Sequence, residues 1–505
     1  MMEILSQSAG LVFTPYVMAV ILAASIFGLF VGAIPGLSAT MAAALLVPVT
    51  FFMDPVPALG AIIATSAMAL FAGDIPAALL RMPGTPSSAA YVDDLHRLTR
   101  EGKIARALGA CLLFSASGGL IASVILILGA PLLARFAANF SSDEYFWLAC
   151  LGLSCAVIIF AHSPLKGLIS LLIGLLIATI GTDLSTGYAR YTFGYTNLIG
   201  GIGFIPAVIG MFAFAEILKY ATSTDTTATR EPMVNSKAGG FFAETIFLFR
   251  NFWRNHLRGS FIGTVTGVLP GAGGGVATWI SYAISLRFAG KSKDPDIRAL
   301  GSITEASSAN NSSLGGAWIP TLVFGIPGDA ITAVVLGVLL VHGITPGPQV
   351  FVRTPELVYS LFIIFILANL LMIPLGILAI RWAGVILRVP RAALMSVIVL
   401  IAIIGAFAVN NALFDVGVML SLGFLAFLMQ KYGFPVAPTI LALVLAPIVE
   451  QNFLMSLMKA RGSLTGLVDR PVAIILAIMT ISMWLMPVYG YFRRYIIERR
   501  KQSMH

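Results

Sequence analysis

The chain has 505 residues, of which 58% are hydrophobic and only 10% charged, against roughly 45–50% apolar and about 25% charged in soluble proteins. So few ionised side chains cannot cover a soluble protein of this size, which excludes a soluble enzyme, a disordered chain and a nucleic-acid binder despite the net charge of +9. What remains is an all-α polytopic membrane protein, each span needing about 20 apolar residues.

In chain order, apolar runs predict membrane helices over 16–34, 38–52, 57–72, 107–134, 145–161, 165–181, 201–218, 259–286 (broken), 299–318, 328–344, 357–380, 392–409, 414–430, 434–449 and 471–492. No basic residue precedes the first run and no small-residue cleavage site follows it, so a cleaved signal peptide is not expected. Lys and Arg set orientation. None occurs before Arg81; segment 91–106 then carries four, the polar stretch 219–258 six, 287–298 four, 345–356 one, 381–391 three and the tail from Arg493 five. This places the N-terminus outside, and 91–106, 219–258, 287–298, 381–391 and the C-terminus in the cytoplasm, where basic residues lie beside anionic lipid. Segment 93–106 reads as an amphipathic helix on that surface. Lys459, Arg461 and Arg470 fit the pattern badly, so a re-entrant or broken helix containing Pro435, Pro438 and Pro447 is expected there.

The chain repeats its own punctuation. Gly28-x-x-x-Gly32-x-x-Pro35-Gly36 recurs 235 residues on as Gly263-x-x-x-Gly267-x-x-Pro270-Gly271. Ile75-Pro76 with Pro83-Gly84 recurs 244 residues on as Ile319-Pro320 with Pro327-Gly328, and Ser88-Ala89 matches Thr332-Ala333. Pro removes a backbone donor and Gly permits unusual dihedrals, so each Pro-Gly pair is expected to break a helix. In lipid, broken backbone survives only against protein or a water-filled cavity. Basic residues follow the second break of the first half and precede it in the second, so the halves are expected to insert in opposite directions. Two inverted-topology repeats with re-entrant helices are a secondary-transporter architecture. The expected organisation is a first repeat with its following spans over 1–218, a cytoplasmic linker over 219–258, a second repeat with its following spans over 259–492 and a basic tail over 493–505.

The strings GAIPGLSATMAAALLVPVTF and MPGTPSSAAYVDD in the first half, with GVLPGAGGGVATWISYAIS and EASSANNSSLGGAWIPTLVFGIPGDAITAVVLGVLLVHGITPGPQVF in the second, resemble the large membrane subunit of the tripartite tricarboxylate transporters over roughly 16 to 500. The resemblance implies a small four-helix membrane subunit and a periplasmic substrate-binding protein as partners. It also implies a bacterial inner-membrane location and import of an organic carboxylate driven by a Na⁺ or H⁺ gradient without ATP. The run from Gly271 lacks the Lys-Ser/Thr of a P-loop and the spacing of a dinucleotide fingerprint. No cofactor, transition metal or catalytic residue is expected. The chain departs from the family's usual pattern at Asp74, Arg81, Asp329 and Asp93-Asp94, which leaves the carboxylate open.

A carboxylate cargo needs donors and positive potential, which helix N-termini supply. Ser38 and Thr40 follow one break, and Thr85, Ser87 and Ser88 another. Gly271, Gly273, Gly274 and Thr278 match the first set across the repeat and bare backbone N–H groups. These are the expected substrate cradle, although a Ser or Thr often bonds back to its own helix instead. Cation sites need oxygen ligands, and Asn310, Asn311, Ser312, Asp329 and Thr332 are the candidates; Glu305 is a further ligand or proton carrier. Arg81 is either a two-pronged anchor for a substrate carboxylate or half of a neutralised pair with Asp74, two helical turns away. The five histidines form no metal motif. Alternatives to the transporter subunit are a stand-alone carboxylate permease or exchanger and, less readily, an ion channel.

Overall fold

The computed structural model describes residues 2–158, 164–183, 186–222, 241–289, 294–386 and 391–485. Helices α1 (Met2–Val12), α2 (Pro15–Gly32), α3 (Ala39–Thr50), α4 (Pro55–Ala72), α5 (Asp74–Leu80), α6 (Val92–Arg100) and α7 (Ile104–Ala137) come first. Next are α8 (Ser142–Ile158), α9 (Pro164–Ala178), a hairpin of β1 (Gly181–Thr182) and β2 (Ala189–Arg190), α10 (Phe204–Val208) and α11 (Ala215–Thr222). Then follow α12 (Phe241–Val268), α13 (Gly273–Ala289), α14 (Pro295–Phe324), α15 (Ala330–Val341), α16 (Val350–Arg353) and α17 (Pro355–Ile386). The last are α18 (Arg391–Asn410), α19 (Leu413–Lys431), α20 (Ala437–Lys459) and α21 (Pro471–Leu485). Among the described residues eight helical stretches are long and apolar enough to cross a membrane; this is a helical multi-pass membrane protein. The tail 493–505, residues 223–240 of the expected linker, residues 290–293 and His162 lie outside the described residues.

The chain forms two compact units, residues 1–137 with 203–427, and 138–202 with 428–505. In the second unit α20 packs on α8 and α9. Here one expectation is corrected: α20 is not broken but runs as one helix through Pro447. Pro438 falls in its first turn, where the missing N–H is not needed. Two of the three basic residues that fitted the pattern badly find partners in the same unit: Lys459 bonds the Ser141 hydroxyl at 2.9 Å, and Arg470 bonds Glu144 at 3.0 Å. The hairpin is pinned by Arg190, which reaches Glu450 at 2.7 Å.

The first unit holds all four Pro-Gly pairs of the repeat. Small residues let its helices touch backbone to backbone. Gly28 abuts the backbone of Thr65 and Gly32 that of Ala69, fastening α2 to α4. In the same way Gly263 abuts Ala309 and Gly267 abuts Ser313, fastening α12 to α14. These are the same contacts at offsets of 235 and 244 residues. The turns also match: the N–H groups of Ile34 and Leu37 donate to Val31 and Ile34, while those of Leu269 and Ala272 donate to Thr266 and Leu269, all at 3.1 Å. Helix α1 was not expected from the sequence; it joins the unit through Ser8, whose hydroxyl donates to the Glu356 carbonyl at 2.9 Å. A π-helical turn over Ile209–Phe214 links α10 to α11 and packs against α3.

At one end, Asp94, Arg97, Lys103 and Arg106 meet the second half of the sequence. Arg97 and Lys103 both bind Asp296 in the first turn of α14, Arg106 binds Glu244 at 2.7 Å, and the Tyr282 hydroxyl donates to Asp94 at 2.9 Å. Lys103 and then Arg97 hold the Asp296 carboxyl below its ordinary range; the same two cations do so for Glu101. Helix α6 carries this charge on one face and buries Leu95 and Leu98 with the other.

Candidate functional site

Each second break is built from a helix end and a new cap. α5 ends at Arg81 in the left-handed conformation (φ 57°), and α14 ends at Gly325 in the same conformation (φ 69°). The next N–H groups donate back to matching prolines, Met82 to Pro76 at 3.4 Å and Ile326 to Pro320 at 3.3 Å. Gly84 then sits where a Cβ would lie 2.6 Å from Gly73 Cα and 3.1 Å from the Gly32 carbonyl. Gly328 sits where a Cβ would lie 2.6 Å from Ala317 Cα and 2.8 Å from the Gly267 carbonyl. Only glycine fits at either point, because the obstacles are backbone.

After each glycine comes a reciprocal cap. The Thr85 N–H donates to Ser88 Oγ at 3.1 Å, and the Ser88 N–H to Thr85 Oγ1 at 3.2 Å. The Asp329 N–H donates to Thr332 Oγ1 at 2.9 Å, and the Thr332 N–H to Asp329 Oδ1 at 2.8 Å. The Thr85–Ser88 pair makes its reciprocal bonds ahead of a short 3₁₀ turn; at the start of α15 the same bonds form a capping box, which satisfies two donors left free at a helix start. It accounts for the polarity of Asp329 and Thr332, read from the sequence as cation ligands, with bonds they make to each other. The halves then diverge: a 3₁₀ turn over Ser88–Ala90 and the charged α6 in the first, the apolar α15 in the second. Ser87 is buried before the 3₁₀ turn and caps nothing with its side chain.

Several of the candidates converge. The Gly271 N–H donates to the Gly328 carbonyl at 2.7 Å, joining the two breaks of the second half, and Gly273 (φ 56°) abuts Asp329. Gly275 faces Pro86 of the first half, and α13 packs on the 3₁₀ turn over Ser88–Ala90. Helix α3 packs on α15, so each half's first arm lies against the other half's second. Beside this junction, Asn310 Oδ1 and Ser313 Oγ lie 2.7 and 3.0 Å from where a Cβ on Gly274 would stand. Asn310 is 1% exposed and its Oδ1 has no hydrogen-bond partner among the described residues. A buried, unpaired amide oxygen is costly and suits a cation or a donor. The N–H groups of Gly273 and Gly274, at the start of α13, suit an anion.

Other candidates are placed elsewhere or used structurally. Asn311 donates to the Ser115 carbonyl at 2.9 Å and to Asn369 Oδ1 at 2.5 Å, tying α14 to α7 and α17. Thr278 bonds back to the Gly274 carbonyl and Ser312 to that of Ala309. Ser38 caps α3 by accepting from the Met41 N–H at 3.1 Å, and Thr40 lies half-buried in its first turn. Pro35 and Gly36 (φ 89°) lie between α2 and α3, where the Glu216 carboxylate stands near Gly36. Glu305 is fully buried on α14 and receives Arg258 in two-pronged fashion together with Asn255. Asp74 and Arg81 do not pair. Arg81 leaves the helical path at its left-handed cap and binds Asp93, both largely exposed, at 2.7 Å, whereas buried Asp74 accepts from the Tyr91 hydroxyl at 2.8 Å. Among the described residues no group of His, Cys, Asp and Glu could hold a metal.

Residues 18–441 match the family model described as the tripartite tricarboxylate transporter TctA family. The chain is 32% identical over 448 residues to an uncharacterized 52.8 kDa protein of the TAR-I ttuC' 3'region in Agrobacterium vitis, covering 89% of this chain and 88% of the relative. It is 31% identical over 211 residues to an uncharacterized protein of the TAR-II ttuC' 3'region of the same organism, covering 42% of this chain and 87% of that relative. No solved structure matches the chain significantly. The protein thus belongs to the tripartite tricarboxylate transporter TctA family, a family of transporters and not of enzymes.

Proposed function

We propose that the chain is the large transmembrane subunit of a binding-protein-dependent secondary transporter in a bacterial inner membrane. It imports an organic di- or tricarboxylate with a Na⁺ or H⁺ gradient. A periplasmic binding protein delivers the cargo and a small four-helix membrane subunit completes the complex. The observation that carries this reading is the crossed packing of the breaks: Gly271 on Gly328, α13 on the Ser88–Ala90 turn, and α3 on α15. Contacts recurring at fixed offsets, with each arm against the other half's opposite arm, are what a pseudo-two-fold relation between inverted repeats produces. On this reading the N–H groups of Gly273 and Gly274 at the start of α13 face the carboxylate, and Asn310 Oδ1 serves the coupling cation.

Reconstitution in proteoliposomes tests this. Labelled carboxylate is expected to accumulate only with all three components and a cation gradient, and Asn310→Ala to weaken the cation dependence. Saturable uptake by this chain alone would favour the stand-alone permease; non-saturable flux would favour a channel. Cysteines at positions 54 and 294 are expected to label from opposite sides, and same-side labelling would overturn the inversion.

A further inference from the structure

The first half holds a buried carboxyl that the cargo reading does not use. Asp74 is 1% exposed, at the start of α5, and its neighbours Tyr91 and Cys111 are fully buried. Its polar partners are neutral: the Tyr91 hydroxyl at 2.8 Å and the Cys111 thiol. The other titratable groups on the elements packed against α5 are engaged elsewhere, exposed or distant along their helix. On α6, Asp93 binds Arg81, Asp94 binds Tyr282, the His96 ring bonds the Ala78 carbonyl at 3.1 Å, and Arg97 binds Asp296 and Glu101. Arg100, at the last turn of α6, is exposed. On α7, Arg106 binds Glu244, and Arg135 lies in the last turn of that long helix. Helix α4 and the Ser88–Ala90 turn carry no titratable side chain. Asp74 therefore differs from Glu305, which faces Arg258.

An ionised carboxylate buried among neutral partners is expensive in such a place. Position links this to the break. Gly73, next to Asp74, accepts from the Gly84 N–H at 3.1 Å and touches Thr85. Tyr91 lies on the same arm, seven residues beyond Gly84.

We propose that Asp74 is a proton-binding site, neutral while the Tyr91 hydroxyl rests on it and ionised when the arm bearing Tyr91 lifts. In that step the carboxyl O–H bond breaks and the proton passes to the water that enters. The coupling of this proton to cargo movement rests on the transport reading above; the protonation itself does not.

Two readouts separate them. Infrared spectra of the reconstituted chain at pH 7 are expected to show a deuterium-sensitive carbonyl band of a neutral carboxylic acid that Asp74→Asn lacks. Tyr91→Phe, which removes a donor to the ionised form, is expected to keep that band to a pH about one unit higher. In the three-component system, Asp74→Asn is expected to lower accumulation driven by a pH gradient about tenfold or more, while cargo exchange without a gradient stays within about twofold. Asp74→Glu restores the coupling. A band indifferent to both substitutions, or undiminished gradient-driven accumulation in Asp74→Asn, overturns the proposal. If the unaltered complex carries no carboxylate at all, the transport reading fails, and the infrared comparison still decides the protonation.

Discussion

Removing Arg258 is expected to cost far more than neutralising its partner. Glu305 is fully buried on α14, held by Arg258 Nε on Oε1 at 2.6 Å, a second contact from the same guanidinium, and Asn255 at 3.0 Å. Arg258 itself is 27% exposed and lies 4.3 Å over the Phe288 ring. Arg258→Ala leaves a buried charge facing only neutral partners, the Asn255 amide and the Ser285 hydroxyl, a change of about 3–5 kcal/mol. Glu305→Gln leaves a guanidinium that still has a ring to stack on and a route to the surface, so it loses roughly a charged hydrogen bond, about 1.5–3 kcal/mol. Replacing both, Arg258→Met with Glu305→Leu, is expected to be about neutral or stabilising by up to about 4 kcal/mol, since neither desolvation cost is then incurred. Equilibrium unfolding in mixed micelles, followed by tryptophan fluorescence, measures all three. With each 1.4 kcal/mol worth about tenfold, Arg258→Ala shifts the equilibrium by about a hundredfold or more. The reasoning is refuted if Glu305→Gln proves the more damaging single change, or if the double variant is worse than both.

Gly84→Ala and Gly328→Ala are expected to destabilise by similar amounts, about 1–3 kcal/mol each, because each new methyl meets backbone at 2.6 Å; tolerance of one and not the other would break the equivalence. Ser88→Ala and Thr332→Ala each remove one side of a cap and are expected to cost about 0.5–2 kcal/mol, read by the same unfolding assay. The Asp296 carboxyl is held below its ordinary value by Lys103 and Arg97, so its stabilising contribution is full above the unfolded carboxyl's range, near pH 4, and fades as pH falls through the lowered folded value. Unfolding of Asp296→Asn against the unaltered protein across pH is therefore expected to give a constant deficit from about pH 5 to 8 that closes only in strong acid; a deficit that varies near neutrality would contradict it.

How much of this was legible in the sequence follows the range of the interactions. Helix interiors and the Pro-Gly pairs are local matters of propensity, and the observed helices start and stop around Pro35, Pro83, Pro270 and Pro327. The recurring glycines could be read as a repeat because their spacing is linear. Partners across helices could not. Asn369 as the mate of Asn311, Tyr91 as that of Asp74 and Glu216 beside Gly36 depend on which helices meet. The pairing of Asp74 with Arg81 assumed a helix continuing for two turns, but the chain turns left-handed at Arg81. The π-helical turn at 209–214 leaves no mark in an apolar run. Pro447 misled in the other direction, since a proline inside a helix removes one bond without having to end it.

Where Gly28 and Gly32 meet Thr65 and Ala69, and Gly263 and Gly267 meet Ala309 and Ser313, main chain rests on main chain. A seam between ordinary side chains can shear, because rotamers absorb small slips. Where a glycine rests on backbone there is no such slack: sliding one helix past the other drives a carbonyl into the next Cβ. Each pair, α2 with α4 and α12 with α14, is mechanically a stiff beam. Any displacement during a working cycle then concentrates at the beam ends, in the few residues around Gly36, Gly84, Gly271 and Gly328.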